Sequence, residues 1–302
     1  MSEREDEEAR DGAEAIDTDA ADARPFAEAL REHLGAVRSA SERRTIAGLV
    51  RAVGKLPAER ARAALEVSAQ LASLSLRVGL EFLRAAVGAA QVLEAAELRE
   101  WGEMGRRLAM ADVETGANFF KAGVAELLEV PAAARPLLFQ VCARQLPLST
   151  SIATETFRRA PELARAAAGD GELLAATYGV ALEIARRSAR HSADFLNASP
   201  AAFAHLDKYA TANEGARRDA TTEDVSRNEA AEGVSRNNVA RAALHLAGVF
   251  AARAGGVAAD AWATLPTATA ALDAGQARTL FRHTESFLER GGAAALHVFS
   301  AG

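Results

Sequence analysis

At 302 residues with 49% hydrophobic and 25% charged side chains, the chain is long enough for a large buried interior, as one elongated domain or two compact ones. It is rich in Ala, Leu, Arg and Glu, has only 5% aromatic residues and 8 prolines, and shows no run of alternating β-branched residues. This excludes a β architecture and predicts an all-α protein. The formal charge of −6 is concentrated at one end. Residues 1–24 hold ten acids against Arg4, Arg10 and Arg24, which makes −7 there and leaves a body near neutrality. A neutral body argues against a nucleic-acid binder, which needs a net basic face.

In chain order, residues 1–24 read as a disordered acidic tail, too poor in apolar residues to offset the entropy of ordering. The tail either solubilises the chain or engages arginines. Residues 25–70 carry helical periodicity and read as an N-terminal helical cap. From there a phenylalanine returns on a fixed beat. Phe82, Phe119, Phe157 and Phe195 stand 37, 38 and 38 residues apart, and Phe250 and Phe287 again 37 apart. Eleven residues before each Phe the chain is apolar in five of six cases (Leu71, Leu108, Leu146, Ile184, Val239). Ten before, it is alanine in five (Ala72, Ala109, Ala185, Ala240, Ala277), and three before it is always small (Gly79, Gly116, Thr154, Ser192, Ala247, Thr284).

These offsets share one helical face. They predict a helix ending near each Phe, a turn at Pro161, at Ser199–Pro200 and at the Gly pairs 255–256 and 291–292, and then a second helix. The stretch LREWGEMGRRLAMADVETGANFF is then one helix. A two-helix unit of this length cannot bury its own apolar face, so the units must stack. The expected fold is an α-solenoid of about six HEAT-like repeats over 71–210 and 239–302, with the six Phe as the repeat core. Residues 211–238, polar and containing VSRN twice, read as a mobile loop between units.

No catalytic motif stands out. G-x-x-x-x-G-K-[ST], G-x-G-x-x-G, G-x-S-x-G and H-E-x-x-H are all absent, so no cofactor or metal is expected. Cys142 lies in the apolar LLFQVCARQL and reads as a buried thiol. As the only cysteine, it excludes an intrachain disulfide. His191 and His283, each four residues before a Phe, read as equivalent helix positions. The candidate partner-binding residues are Trp101 and Trp262, as interface anchors or core packing, and Arg186, Arg187 and Arg190, as a grip for an acidic peptide or a solvated helix face. With no secretory signal and no run of 18 uncharged apolar residues, neither export nor membrane insertion is expected, and the default location is the cytoplasm. The Arg- and Ala-rich, Lys-poor composition suggests a bacterial source.

The segments WGEMGRRLAMADVETGANFFKAGVAELLEV and IARRSARHSADFLNASPAAFAHLD resemble the helical repeats beside von Willebrand A domains in bacterial NorD-type proteins. The shared features are a W/L-x-x-G-x-x-L-A start, a small residue, and Phe-Phe or Phe-Leu before a Ser-Pro or Gly turn. The resemblance covers roughly 71–302 and implies a MoxR-type AAA+ ATPase partner and a role in maturing a metalloenzyme. The D-x-S-x-S metal-adhesion motif of the von Willebrand domain is absent, so no catalytic or metal residue carries over. Two readings remain. One is a non-enzymatic protein-binding scaffold or adaptor. The other is an all-α enzyme with its site on a concave repeat face or under residues 211–238.

Overall fold

Helical periodicity is realised throughout the computed structural model, which describes residues 40–209 and 235–301. The expected acidic tail, the start of the cap (25–39) and residues 211–234 of the polar stretch lie outside the described residues. Residues 235–238, expected in the loop, begin a helix. Twelve α-helices and no strand occur among the described residues: α1 Ala40–Val53, α2 Ala58–Leu74, α3 Leu76–Ala89, α4 Ala95–Ala111, α5 Val113–Glu129, α6 Arg135–Gln145, α7 Thr150–Ala166, α8 Gly171–Ala185, α9 Ala189–Leu206, α10 Ser235–Ala268, α11 Ala274–Leu288 and α12 Gly292–Ala301. The chain divides into two compact units, Met1–Leu128 and Glu129–Gly302. The boundary falls inside the block of repeats expected over 71–210.

The helices start and stop for local reasons. Asp170 accepts the Glu172 and Leu173 amides at the start of α8, and capping boxes pair Glu94 with Glu97 and Asp273 with Gln276. The most regular device is a break marked by one extended residue just before the new helix. Ser75 (φ −159°, ψ 122°) and Asp112 (−158°, 122°) are alone between two helices, while Ser149 (−163°, 112°) and Ser188 (−153°, 117°) end the short turns 146–149 and 186–188. The break leaves the hydrogen-bond ladder intact. Each break N–H donates to the carbonyl four residues back (Leu71, Leu108, Gln145, Ile184), and each break carbonyl accepts from four residues on (Gly79, Gly116, Ala153, Ser192). Asp112, Ser149 and Ser188 also cap the new helix through their side chains.

The stretch 98–120 is therefore two helices, α4 and α5, parted at Asp112. The proposed turns at Pro161 and Ser199–Pro200 are corrected as well: both prolines lie inside helices, α7 and α9. The breaks at 75, 112, 149 and 188 are 37, 37 and 39 residues apart. In α10 the backbone leaves helical geometry at Ala254 (φ −146°, ψ 56°), 66 residues beyond Ser188. Another 37 on, a short turn ends at Gly291, whose φ of +130° suits only glycine.

Aligning on the breaks reorders the core. The residue four beyond each break is small and buried: Gly79, Gly116, Ala153, Ser192, Ala258, Ala295. It faces the residue three before the break. A Cβ on Gly79 would stand 2.8 Å from the Ala72 Cβ, and one on Gly116 2.6 Å from the Ala109 Cβ. Seven or eight beyond each break comes a buried aromatic: Phe82, Phe120, Phe157, Phe195, Trp262, Phe299. Phe119 is buried beside Phe120. Phe250 is buried, but on the helix before its break. Phe287, expected in the repeat core, is only half-buried under the Arg290 guanidinium. It too stands four residues before its break, and Phe281, Leu288 and Phe299 take the core there.

Within each unit, helices pack on their sequence neighbours and on the next but one. In unit 1, α2 meets α3 and α4, and α1 meets α3. The Phe120 ring of α5 stands at 5.0 Å from Phe82 and 5.2 Å from Trp101, both edge-on. Close packing here dictates two glycines, one against the aromatic cluster and one against Val67. A Cβ on Gly105 would lie 1.8 Å from the Phe120 ring, and one on Gly102 2.1 Å from Val67. In unit 2, α6 meets α8, α7 meets α9, and α10 meets α8, α9, α11 and α12. Trp262 packs at 5.2 Å on Phe195 and donates its indole N–H to Ser199. The stretch Val239–Ala268 is long and apolar enough to cross a membrane by composition. Here it is broken at Ala254 and carries Phe250 and Trp262 into the interior of unit 2.

Phe120→Ala is expected to cost about 3–5 kcal/mol in urea unfolding, against less than about 1 kcal/mol for Phe287→Ala. Gly105→Ala gains up to about 1 kcal/mol in helix propensity, but the overpacking against Phe120 costs about 1–3 kcal/mol. A net loss of stability is the expected result.

Candidate functional site

The residues singled out from sequence divide between interior and edge. Trp101 and Trp262 are fully buried. The reading of them as interface anchors gives way to core packing, because each indole is enclosed by the aromatic residues of its own unit. The Trp101 N–H has no partner among the described residues. Cys142 is buried, and burial drives its thiol pKa far up, away from the thiolate form. Burial also pushes up the Tyr178 hydroxyl on α8, which has no partner among the described residues. Tyr178 lines a cleft with Thr156, Arg159, Glu162, Asn197 and Pro200, but the cavity is about 20 Å³, room for about one water. Among the described residues, no three His, Cys, Asp or Glu side chains are placed to hold a metal ion.

The three arginines lie at the exposed edge of unit 2, where α8 breaks into α9 at Ser188. Arg186 pairs with Glu183 at 2.6 Å, and Arg190 stands 4.0 Å from Asp194. Arg187 donates to the Ala252 carbonyl at 2.6 Å. The break at Ala254 ends the helical run there, so a guanidinium at this carbonyl also meets the negative end of a helix.

The Gly pairs let the neighbouring breaks close up. Built Cβ atoms would stand 3.3 Å from the Arg187 Cδ at Gly255, 3.0 Å from the His191 ring at Gly256 and 2.5 Å from the Ala254 Cβ at Gly292. Ser188, Ala254 and Gly291 are thereby neighbours. They gather Arg187, Arg190, His191, Arg253 and Arg290, all exposed, along one edge. Sequence reasoning named Arg186, Arg187 and Arg190 but missed Arg253 and Arg290. The signal was available: each sits one residue before a break. At the breaks of unit 1 the exposed side chains include the apolar Leu74, Met110 and Val113 and the ion pair Arg77–Glu114.

A second polar cluster closes the far end of α10. Thr269 gives its hydroxyl proton to Leu265 and so accepts from His205 Nε2 at 2.8 Å. Its carbonyl accepts from Lys208 at 2.6 Å and from the Tyr209 hydroxyl at 3.1 Å. Burial, then the adjacent Lys208 charge, lowers the His205 pKa. The arrangement ties the end of α9 to the end of α10.

The chain matches no protein-family model, no curated protein and no solved structure.

Because the folded His205 is less basic than the unfolded side chain, whose pKa is about 6.5, the fold favours its neutral form. Its contribution is present above that value and is lost as pH falls through it. The melting temperature is expected to fall more between pH 7.5 and 5.5 in the wild type than in His205→Asn, as read by circular dichroism.

Proposed function

We propose that the chain is a non-enzymatic protein-binding scaffold, an α-solenoid of about six HEAT-like two-helix repeats acting in the cytoplasm. The observation that supports it is the recurring break with its small contact residue and buried aromatic. Such a hairpin needs neighbours to bury its apolar face, and a stack of them offers extended surface rather than an enclosed pocket. Strongly shifted titrating groups gathered in one cleft would favour an enzyme. Cys142 and Tyr178 are shifted by burial in unit 2, where the cleft that Tyr178 lines has room for about one water, and His205 belongs to the polar tie at Thr269. The resemblance to NorD-type repeats makes a MoxR-type ATPase or a metalloenzyme subunit the partner to test first. The chain would then be the recognition arm of that system.

Affinity purification of the full chain from its native host is expected to recover such a protein in stoichiometric amount. Recovery of the chain alone, as a monomer that turns over a small molecule, would sink the scaffold reading.

A further inference from the structure

The basic edge of unit 2 has chemistry that the scaffold reading does not specify. Five arginines (Arg186, Arg187, Arg190, Arg253 and Arg290) and His191 are exposed there, on the three neighbouring breaks at Ser188, Ala254 and Gly291. The acids nearby are fewer. Glu183 is held by Arg186, Asp194 stands 4.0 Å from Arg190, and Glu289 and Asp260 are exposed. Arg253 makes no ion pair among the described residues. Arg187 uses one guanidinium nitrogen on the Ala252 carbonyl, and Arg290 rests on the Phe287 ring at 5.0 Å, which holds the head group in place without neutralising it. Arginine forks held this way present paired N–H donors at the geometry of a carboxylate.

We propose that this edge binds an acidic segment of a protein partner, lying across the three breaks. The proposal rests on the scaffold reading and names the class of ligand. Length follows from packing. Neighbouring helices lie about 8–10 Å apart, so three breaks span roughly 16–20 Å, which an extended chain covers in about five or six residues at about 3.3 Å each. The segment therefore carries its carboxylates within a stretch of about six residues. Exposed charges at this spacing give register and a salt-sensitive association rate more than raw affinity. A nucleic acid fits less well, because Glu289, Asp194 and Asp260 would face a continuous line of phosphates, whereas a peptide can place its carboxylates between them.

The test uses the purified full chain and a fluorescein-labelled 12-mer with six consecutive glutamates, read by fluorescence anisotropy at low ionic strength. Binding that weakens as salt is added is expected, with at least about a tenfold loss in Arg190→Glu/Arg253→Glu. The control Arg278→Glu/Arg282→Glu, with the same charge change on exposed α11 positions, is expected to stay within about twofold of wild type. The neutral pair Arg190→Gln/Arg253→Gln should fall between, and circular dichroism checks that all variants melt alike. Equal affinity of wild type and the edge variants, equal loss in the control, or tighter binding of a single-stranded DNA 12-mer would each overturn the proposal. Wild type and the glutamate variant then serve as baits in the native-host purification. A partner kept by both baits sinks the edge assignment and leaves the scaffold standing. A peptide that binds as expected while no partner is recovered sinks the scaffold instead.

Discussion

A helix that turns back on itself normally leaves unpaired amides and carbonyls at the turn. Here one extended residue changes direction while its N–H and C=O stay in both ladders, at Ser75, Asp112, Ser149 and Ser188 alike. The packing on either side depends on this. Because the second helix starts at once, its first turn lies directly against the last turn of the helix before it. That contact admits only small residues, as at Ala72 with Gly79 and at Ala109 with Gly116. The aromatic two turns further on is then driven inward, with Phe82 and Phe120 buried beside Trp101. Hydrogen bonding, residue size and aromatic burial are three consequences of one backbone geometry.

Much of this was legible in the sequence, and the rest was obscured for specific reasons. All-helical structure followed from composition, and the period near 37 residues from phenylalanine. The small residue at Gly79 and Gly116 was visible, but Ala72 and Ala109, which it faces across the break, were placed on the same helix, because a one-residue break leaves the apolar periodicity almost undisturbed. The break had its own mark, Ser75, Asp112, Ser149 and Ser188 on the same beat, which is the helix-capping preference of short polar side chains. Phenylalanine also changes phase. At Phe250 and Phe287 it stands before the break, and Trp262 and Phe299 take the buried place. Counting one residue type could not detect that exchange. Pro161 and Pro200 misled in the opposite sense, since proline usually ends a helix and here both lie within one.

Among the candidate site residues, type alone could not separate Trp101 and Trp262 from surface anchors, since an indole serves equally well at an interface and in a core. The arginines were easier, because charge keeps them outside. What sequence did not give was their company. Arg253 and Arg290 lie 66 and 103 residues beyond Arg187, and only the glycines at 255, 256 and 292 bring the three stretches side by side. The exposed residues at the breaks also differ, with Leu74, Met110 and Val113 beside the Arg77–Glu114 pair in unit 1 and several arginines in unit 2.

The tie at Thr269 has a bearing on how this chain can change. Lys208 and Tyr209 are fastened to the far end of α10, so the exit of α9 is fixed by side chains and not by the helix ladder alone. The two helix ends are thus held by their own side chains, and a change at Thr269 is felt by both at once.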